Sequence, residues 1–566
     1  MKEELLLAAV NAKYIHSNPA VYSLRAYATE YSDRIGLAEY TINNRTEQIL
    51  QDIYKRRPKV LCFSCYIWNV ALVCRVAEEF HKLCPAVPIW VGGPEVSYES
   101  EAFLREHPFL TGIMLGEGER IFRDICRYYL GGIGSLGNIR GIALRSGEDG
   151  ENIELHEPQE TLNMDELPFY YEHMEDFCNR IVYYETSRGC PFRCSYCLSS
   201  VEKKLRFRSM ELVRRELQFF LDHKVPQVKF VDRTFNCDRE RAMEIWRYIL
   251  EHDNGYTNFH FEVAADLMTE EEIELIAGMR PGLIQLEIGV QTTHPKTIEE
   301  IRRKMDLSGV KHAVSRIGKA GNIHQHLDLI AGLPYEDYRT FTQSFDEIYA
   351  LHPQQLQLGF LKVLKGSYMY EQAAAYGLVY LSDPPYEVLK TKWLGYEDIC
   401  KIKLAEEMLE VYYNSGQFPM SICLLERQYD SPYRMFEELG MFYEAGGYID
   451  RNHSRNGRME ILLEFVERFF PSEAEVFRQA AVYDIYSREN AKSRPKWAAD
   501  MAEWKALTRR YCTRGSLSHV ERFEYRFYGD HTTVGEKCAP YYLQFHYDER
   551  DSRNHQALCT LLKTEE

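Results

Sequence analysis

The chain has no apolar run approaching the roughly eighteen residues of a membrane-spanning helix. Its first apolar stretch, Leu5–Val10, follows an acidic Met1-Lys-Glu-Glu start and is shorter than a signal-peptide core. A cytosolic protein is therefore expected. An excess of positive charge is lacking too: 68 Lys and Arg stand against 85 Asp and Glu, a formal charge of −17. Holding nucleic acid needs clustered cations that neutralise phosphates, so nucleic acid is not an expected partner. The local run Lys203-Lys-Leu-Arg-Phe-Arg208 is read as a solvated helix entry or a contact for a cofactor carboxylate. A disulfide framework is missing as well. The 15 cysteines are mostly isolated, as at Cys62, Cys74, Cys126, Cys400 and Cys423, and suit reduced core positions in a reducing compartment. With 45% apolar and 27% charged residues the chain is an ordinary globular one, and its 566 residues call for several domains.

One cluster of cysteines departs from that scatter. Cys190, Cys194 and Cys197 stand in Glu185-Thr-Ser-Arg-Gly-Cys-Pro-Phe-Arg-Cys-Ser-Tyr-Cys197, a CxxxCxxC spacing. A structural zinc site wants four protein ligands, and no fourth Cys or His lies nearby at zinc-finger spacing. Three thiolates suit an iron–sulfur cube, each binding a different iron and leaving the fourth iron open. Three buried thiols or a zinc knuckle is the alternative reading. The apolar, strand-like Ile181–Thr186 places the cysteines on the loop at the carboxyl end of a strand, where α/β folds carry chemistry.

The motif, with Tyr196 before its third cysteine, resembles the signature of the radical S-adenosylmethionine (SAM) enzymes. The resemblance implies a 4Fe–4S cluster held by Cys190, Cys194 and Cys197, which are then both metal ligands and the catalytic centre. It also implies SAM bound at the open iron and reduction by a donor such as flavodoxin or ferredoxin.

Residues 1–133 alternate strand-like runs (Leu5–Val10, Val60–Ser64, Ile89–Val91) with helical ones (Ala20–Tyr31, Val70–Leu83, Ile121–Tyr129). That alternation predicts a Rossmann-like parallel sheet covered on both faces, with ligands at the strands' carboxyl ends. Three loops at those ends carry paired glycines or hydrogen-bonding side chains: Ser64-Cys-Tyr-Ile-Trp-Asn69, Gly92-Gly-Pro-Glu-Val-Ser97 and Gly116-Glu-Gly-Glu119. Their order and spacing resemble the cobalamin-binding domain that precedes many radical SAM domains. The resemblance implies cofactor contacts from Ser64, Tyr66, Trp68, Asn69, Gly92, Gly93, Gly116 and Glu117. The Asp-x-His-x-x-Gly motif of such domains is absent; Asn11-Ala-Lys-Tyr-Ile-His-Ser-Asn18 occupies that loop. No protein histidine is therefore expected on the cobalt, His16 being the residue that would overturn this.

Residues 134–175 read as a linker containing a hairpin, Ile139–Ser146 and Asn152–His156 around Gly147-Glu-Asp-Gly150, then Asn163-Met-Asp-Glu-Leu-Pro168. From 176 to 375 strand-like runs (Ile181–Thr186, Gln227–Val231, Phe259–Ala264, Leu283–Ile288, Gln325–Ile330, Gln355–Leu361) alternate with helical ones and predict a partial (βα)6 barrel of the TIM type. The resemblance places Tyr196, Asp232, Glu262 and Gln291 against SAM, with Leu329 and Ile330 flanking its adenine. Capped helices or buried ion pairs are the alternative for the acids.

Residues 376–566 shift towards Tyr, Trp and amphipathic helices such as Tyr386–Asn414, Met459–Phe470 and Glu473–Tyr486, with strand-like Phe523–Tyr528 and Tyr541–Tyr547 joined through Gly529–Pro540. This mainly helical domain resembles an uncharacterised C-terminal domain of some cobalamin-type radical SAM proteins, and its chain position suggests a cover for the barrel mouth. The expected activity is reductive SAM cleavage and methyl transfer to an unactivated carbon of a small-molecule or peptide substrate. Cyclisation, oxidation or rearrangement without methyl transfer is the second reading, and a non-catalytic cobalamin or redox sensor the third.

Overall fold

A computed structural model describes residues 3–147, 152–202, 204–491, 493–502, 504–512, 517–528, 533–551 and 556–562. The hairpin tip at 148–150, Lys203 of the basic run and residues 529–532 of the C-terminal connection therefore lie outside the described residues.

The first sheet holds seven strands: β1 (Leu5–Asn11), β2 (Ile35–Thr41), β3 (Val60–Ser64), β4 (Ile89–Gly92), β5 (Gly112–Met114), β6 (Ile142–Ser146) and β7 (Asn152–Leu155). Their order is β2-β1-β3-β4-β5-β6-β7. The first five run parallel, and β6 and β7 add antiparallel at the edge. The expected hairpin is thus an edge of this sheet as well as a connector. All seven residues of β1 are buried, as a central parallel strand between two helix layers requires. Each fully buried Leu or Val contributes roughly 1.5–3 kcal/mol. Leu6, Ala8 and Val10 join Ile49, Ile53, Val73 and Phe80 of helices Thr46–Arg56 and Val70–Leu83. Leu5, Leu7 and Ala9 face Val21, Ile121 and Phe122 on the other side, in a core continuous with the barrel. Strand β2 escapes the sequence pattern because Gly36 and the polar Glu39 interrupt its apolar run.

The second sheet has six parallel strands: β8 (Val182–Tyr184), β9 (Gln227–Phe230), β10 (Asn258–Val263), β11 (Ile284–Gln291), β12 (His324–Ala331) and β13 (Gln355–Phe360). They follow one another in sequence order and leave an open side between β13 and β8. Burial alternates along the inner strands. In β11, Ile284, Leu286, Ile288 and Val290 are buried, whereas Gln285, Glu287, Gly289 and Gln291 are half-exposed. The same parity turns Phe259, Phe261, Leu327 and Leu329 towards the helices and His260, Glu262, His326, Asp328 and Ile330 towards the interior. This barrel is apolar outside and polar within.

Both free edges are occupied. Beside β8, the Ile181 amide donates to the Ile15 carbonyl at 2.8 Å and Ser17 Oγ to the Ile181 carbonyl at 3.0 Å. Beside β13, the Asn414 side chain accepts from the Leu356 amide at 3.0 Å and donates to its carbonyl at 2.8 Å, replacing a neighbouring strand.

The C-terminal region contains helices Tyr396–Met408, Pro419–Glu426, Pro432–Ala445, Arg455–Phe469 and Ala474–Tyr486. An antiparallel sheet of Ser518–Tyr525, Lys537–Arg550 and Ala557–Leu562 follows. The long helix expected from Tyr386 begins only at Tyr396, because Val388–Lys390 is a short strand and Gly395 opens the helix. These helices pack along Tyr338–Tyr349: Tyr338 bonds Glu437, Tyr349 bonds Glu426, and the Tyr433 amide donates to Asp346 at 2.8 Å. They cover the barrel's flank. Residues 361–395 reach the cysteine loop and the first domain: the Met369 amide donates to the Ser195 carbonyl at 2.8 Å, and Tyr370 and Tyr386 bond Glu99 and Glu95. Among the described residues no helix is long and apolar enough to cross a membrane.

Candidate functional site

The cysteines lie on the loop leaving β8, beyond Gly189, whose φ of +95° and contact with the Lys204 carbonyl, 2.7 Å from where a Cβ would stand, leave no room for a side chain. Cys194 is buried; Cys190 and Cys197 are half-buried. The loop is pinned by Ser195, whose amide donates to the Ile301 carbonyl at 2.9 Å, and by Ser200 Oγ, which donates to the Cys194 and Cys197 carbonyls at 3.0 and 2.6 Å. Among the described residues no three His, Cys, Asp or Glu side chains converge on one ion. The three thiolates of this loop fit a cube, which spreads its ligands over separate irons. The buried Ser195 Oγ and Arg303 Nε have no hydrogen-bond partner beside it.

Arg303 was not singled out by motif. Its guanidinium lies 3.7 Å from Cys194 Sγ and 3.3 Å from the Tyr196 hydroxyl and also bonds the Gly289 carbonyl. Only a sequence offset from Gln291 could have flagged it.

The interior face carries the other expected SAM contacts. Gln291 ends β11 after a bulge, at a φ of +74° that a non-glycine residue adopts only when its surroundings impose it. Glu262 lies 3.8 Å from Arg233, and burial pushes its carboxyl up to about 7. Ile330 also faces inward. Two expectations need correction. Leu329 is fully buried on the outer face, since strand parity gives it the side opposite Ile330. Asp232 is buried too, and its oxygens accept from the Thr186 amide and Oγ1 at 2.7 and 2.5 Å, so it braces the strand entering the cysteine loop instead of offering a free carboxylate. Deeper in the barrel, Glu287 accepts from Lys229 at 3.0 Å and lies 3.0 Å from His260. Burial opposes ionisation of Glu287, but these two partners outweigh it and hold the carboxyl at about 2.

A cavity of about 670 Å³ opens between the two sheets. Ser64, Tyr66, Gly92, Gly93, Gly116 and Glu117 line one wall; Tyr183, Glu185, Ser187, Arg188, Gly189 and Leu198, which flank the cysteine loop, line another. The first sheet's order 2-1-3-4-5 puts its switch point between β1 and β3, beside this wall. Gly93, at φ +121°, presses against the Cys65 carbonyl, 2.3 Å from where a Cβ would stand, whereas around Gly116 there is open space. The open space at Gly116 leaves room for a ligand at this wall. Trp68 and Asn69 do not line the cavity. Trp68 stacks on Tyr66 with ring centres 4.5 Å apart, and Asn69 holds the loop by accepting from the Tyr66 amide at 2.7 Å. His16 is also outside it, 2.6 Å from the Tyr183 hydroxyl. Among the described residues that line the cavity there is no histidine or cysteine.

An ionic bridge joins the walls. Arg188, two residues before Cys190, meets Glu119 at 2.6 Å, Glu185 at 2.9 Å and Glu117 at 3.5 Å, while Arg206 bonds Glu117. Glu117 is thus held within an ion network at the cavity wall. The paired acids of Gly116-Glu-Gly-Glu119 were the available signal.

Residues 5–126 match the B12 binding domain, 184–348 the radical SAM superfamily, and 374–525 a protein family of unknown function, DUF4080. The cobalamin-dependent radical SAM methyltransferase TokK of Streptomyces tokunonensis is 27% identical over 306 residues, 50% of this chain and 44% of TokK. The chain thus spans less than half of that relative's length. An uncharacterized methyltransferase of Pyrococcus horikoshii, PH0819, is 24% identical over 65% of this chain and 81% of its own. The solved structure of the cobalamin-dependent SAM radical enzyme OxsB, with aqua-cobalamin and SAM bound, shares the fold at a TM-score of 0.59 and 16% identity, over 85% of this chain and 79% of OxsB. The sheet that forms one cavity wall matches a B12-binding domain and the barrel that forms the other matches the radical SAM superfamily, so the chain joins a B12-binding domain to a radical SAM domain.

Proposed function

We propose that this enzyme methylates an unactivated carbon of a small-molecule or peptide substrate. The observation that carries the reading is the single cavity onto which both the cobalamin-type loops and the residues flanking the cysteine loop open. When bound, the cluster and SAM supply a carbon radical by one-electron chemistry and cobalamin supplies a methyl group. The chain's own part is to position them. Cys190, Cys194 and Cys197 hold the cluster, and Arg303 presents a fixed guanidinium beside Cys194 that suits the carboxylate of SAM. Glu262, Gln291 and Ile330, on the interior face of the barrel, would hold the rest of SAM.

Ser64, Tyr66, Gly92, Gly93 and Gly116 bed the corrin, and Glu117 fixes that wall through Arg206. Because His16 is committed to Tyr183 and to the edge of β8, no protein nitrogen is expected on the cobalt. Residues 1–133, 134–175, 176–375 and 376–566 are taken as cobalamin domain, connector, barrel and C-terminal domain, in a cytoplasmic protein reduced by a flavodoxin or ferredoxin.

Anaerobic incubation of reconstituted protein with SAM, reductant and candidate substrates, followed by mass analysis, tests the reading. Formation of both 5′-deoxyadenosine and S-adenosylhomocysteine is expected. Deoxyadenosine alone would point to cyclisation or rearrangement.

A further inference from the structure

The cavity lies between loops of two domains, and one short segment of chain touches both. The loop after β4 turns Gly92, Gly93, Ser97 and Tyr98 to the cavity. Its other side carries Glu95 and Glu99, and both acids are bound by the segment that follows the last barrel strand. Tyr370 donates to Glu99 at 2.7 Å, Lys365 lies 3.4 Å from the same carboxylate, and Tyr386 bonds Glu95. Tyr386 belongs to the same body as Lys365, since its carbonyl accepts from the Val363 amide at 3.0 Å.

Packing agrees with the hydrogen bonds. Gly366, at φ +82°, lies against the Tyr98 ring, whose Cδ1 is 2.1 Å from where a Cβ would stand. Glycine adopts that conformation freely and leaves the ring its place. Glu99 holds a φ of +54°, which a residue with a side chain adopts only when its surroundings impose it. Between these contacts the buried Met369 donates its amide to the Ser195 carbonyl at 2.8 Å, inside the cysteine motif, and the Tyr368 ring lies 3.4 Å from the Arg302 guanidinium. Lys365–Tyr370 thus grips the loop after β4 at both of its ends and the cysteine loop in its middle.

We propose that Lys365–Tyr370 is a positioning bridge that fixes the distance between the loop after β4 and the cysteine loop, with Gly366 and Tyr370 as its positioning residues. The inference rests on the proposed reaction, in which groups held on opposite walls must meet at one carbon. Neither residue lines the cavity; Gly366 acts through Tyr98, and Tyr370 through Glu99. Two domains of one chain can move about their interface, and a misplacement of about 1 Å between reacting groups costs roughly 100-fold in rate. A segment bound to both loops removes that freedom at the cavity itself.

The test compares holoenzyme carrying the cluster and cobalamin as wild type, Gly366→Ala, Tyr370→Phe/Tyr386→Phe, and a control, Tyr376→Phe. The control loses a Tyr–Glu bond of the same kind, to Glu300, that does not reach the first domain. Iron and cobalamin contents should match wild type throughout. Spin coupling between cob(II)alamin and the reduced cluster, read by electron paramagnetic resonance, should weaken or broaden in both bridge variants and stay unchanged in the control. In turnover, the 5′-deoxyadenosine formed per S-adenosylhomocysteine should rise about tenfold in the bridge variants, as radicals form without a methyl group in reach. Wild-type coupling in both bridge variants, an equal change in the control, or loss of a cofactor in place of altered coupling overturns the proposal. Wild type that makes no S-adenosylhomocysteine would count against the methylation reading, and the coupling comparison would still decide on the bridge.

Discussion

The loop that carries the cysteines and the loops that face it across the cavity serve one chamber but are built in opposite ways. The first is local. Eight consecutive residues, Cys190 to Cys197, hold all three thiols, and a few hydrogen bonds from Ser195 and Ser200 fix them. The second is assembled from the ends of β3, β4 and β5, some fifty residues of chain, and depends on Gly93, whose missing side chain lets it lie against the Cys65 backbone. A local site can lose its chemistry without losing its fold, and an assembled one can lose its shape through a single methyl group.

The largest expected effect comes from the local site. Replacing Cys190, Cys194 and Cys197 together by Ala should remove about four irons per chain, the visible absorbance and SAM cleavage, and leave cobalamin binding near the wild-type level. Iron content that survives the triple change would contradict the assignment.

Next comes Gly93→Val. Its side chain would collide with the Cys65 carbonyl from a φ that L-residues avoid. We expect cobalamin affinity, read by difference absorbance, to fall about 100-fold while the iron content stays the same. Equal loss of both cofactors would show that the two sites are less separable than their construction suggests.

The smallest effect concerns charge in the barrel. Glu262 has its carboxyl raised from 4.5 to about 7 by burial. A raised carboxyl stabilises the folded chain fully below pH 4.5, and that contribution is lost as pH climbs through 7. Between pH 5 and 8 the apo wild type should therefore lose about 1 to 2 kcal/mol relative to Glu262→Gln, in denaturant titrations. Parallel stability profiles would mean that Glu262 is solvated or paired.

How much of this could be read from sequence follows the same division. The cysteine spacing is visible because its ligands are neighbours in the chain, and the strands of both sheets are visible where apolar runs are unbroken, as in β1 and β3. Strand β2 is hidden by Gly36 and Glu39, and β5 by its three-residue length. Leu329 reads as a cofactor contact in the sequence because its outward parity becomes clear only once Asp328 and Ile330 are seen facing in. The Arg188 bridge to Glu117 and Glu119 joins residues about seventy positions apart, and no local pattern announces it. The C-terminal helices were legible as amphipathic, but their seat along Tyr338–Tyr349 depends on pairs such as Tyr338–Glu437, which chain position alone does not reveal.

The central claim is that one cavity brings the cluster and cobalamin together without a protein ligand on the cobalt. Electron paramagnetic resonance of protein loaded with cob(II)alamin and a reduced cluster tests it most directly. We predict spin coupling between the two centres that disappears in the triple cysteine variant, and a cobalt signal free of nitrogen splitting from His16. Two independent, uncoupled spectra, or nitrogen splitting that vanishes in His16→Ala, would contradict the account.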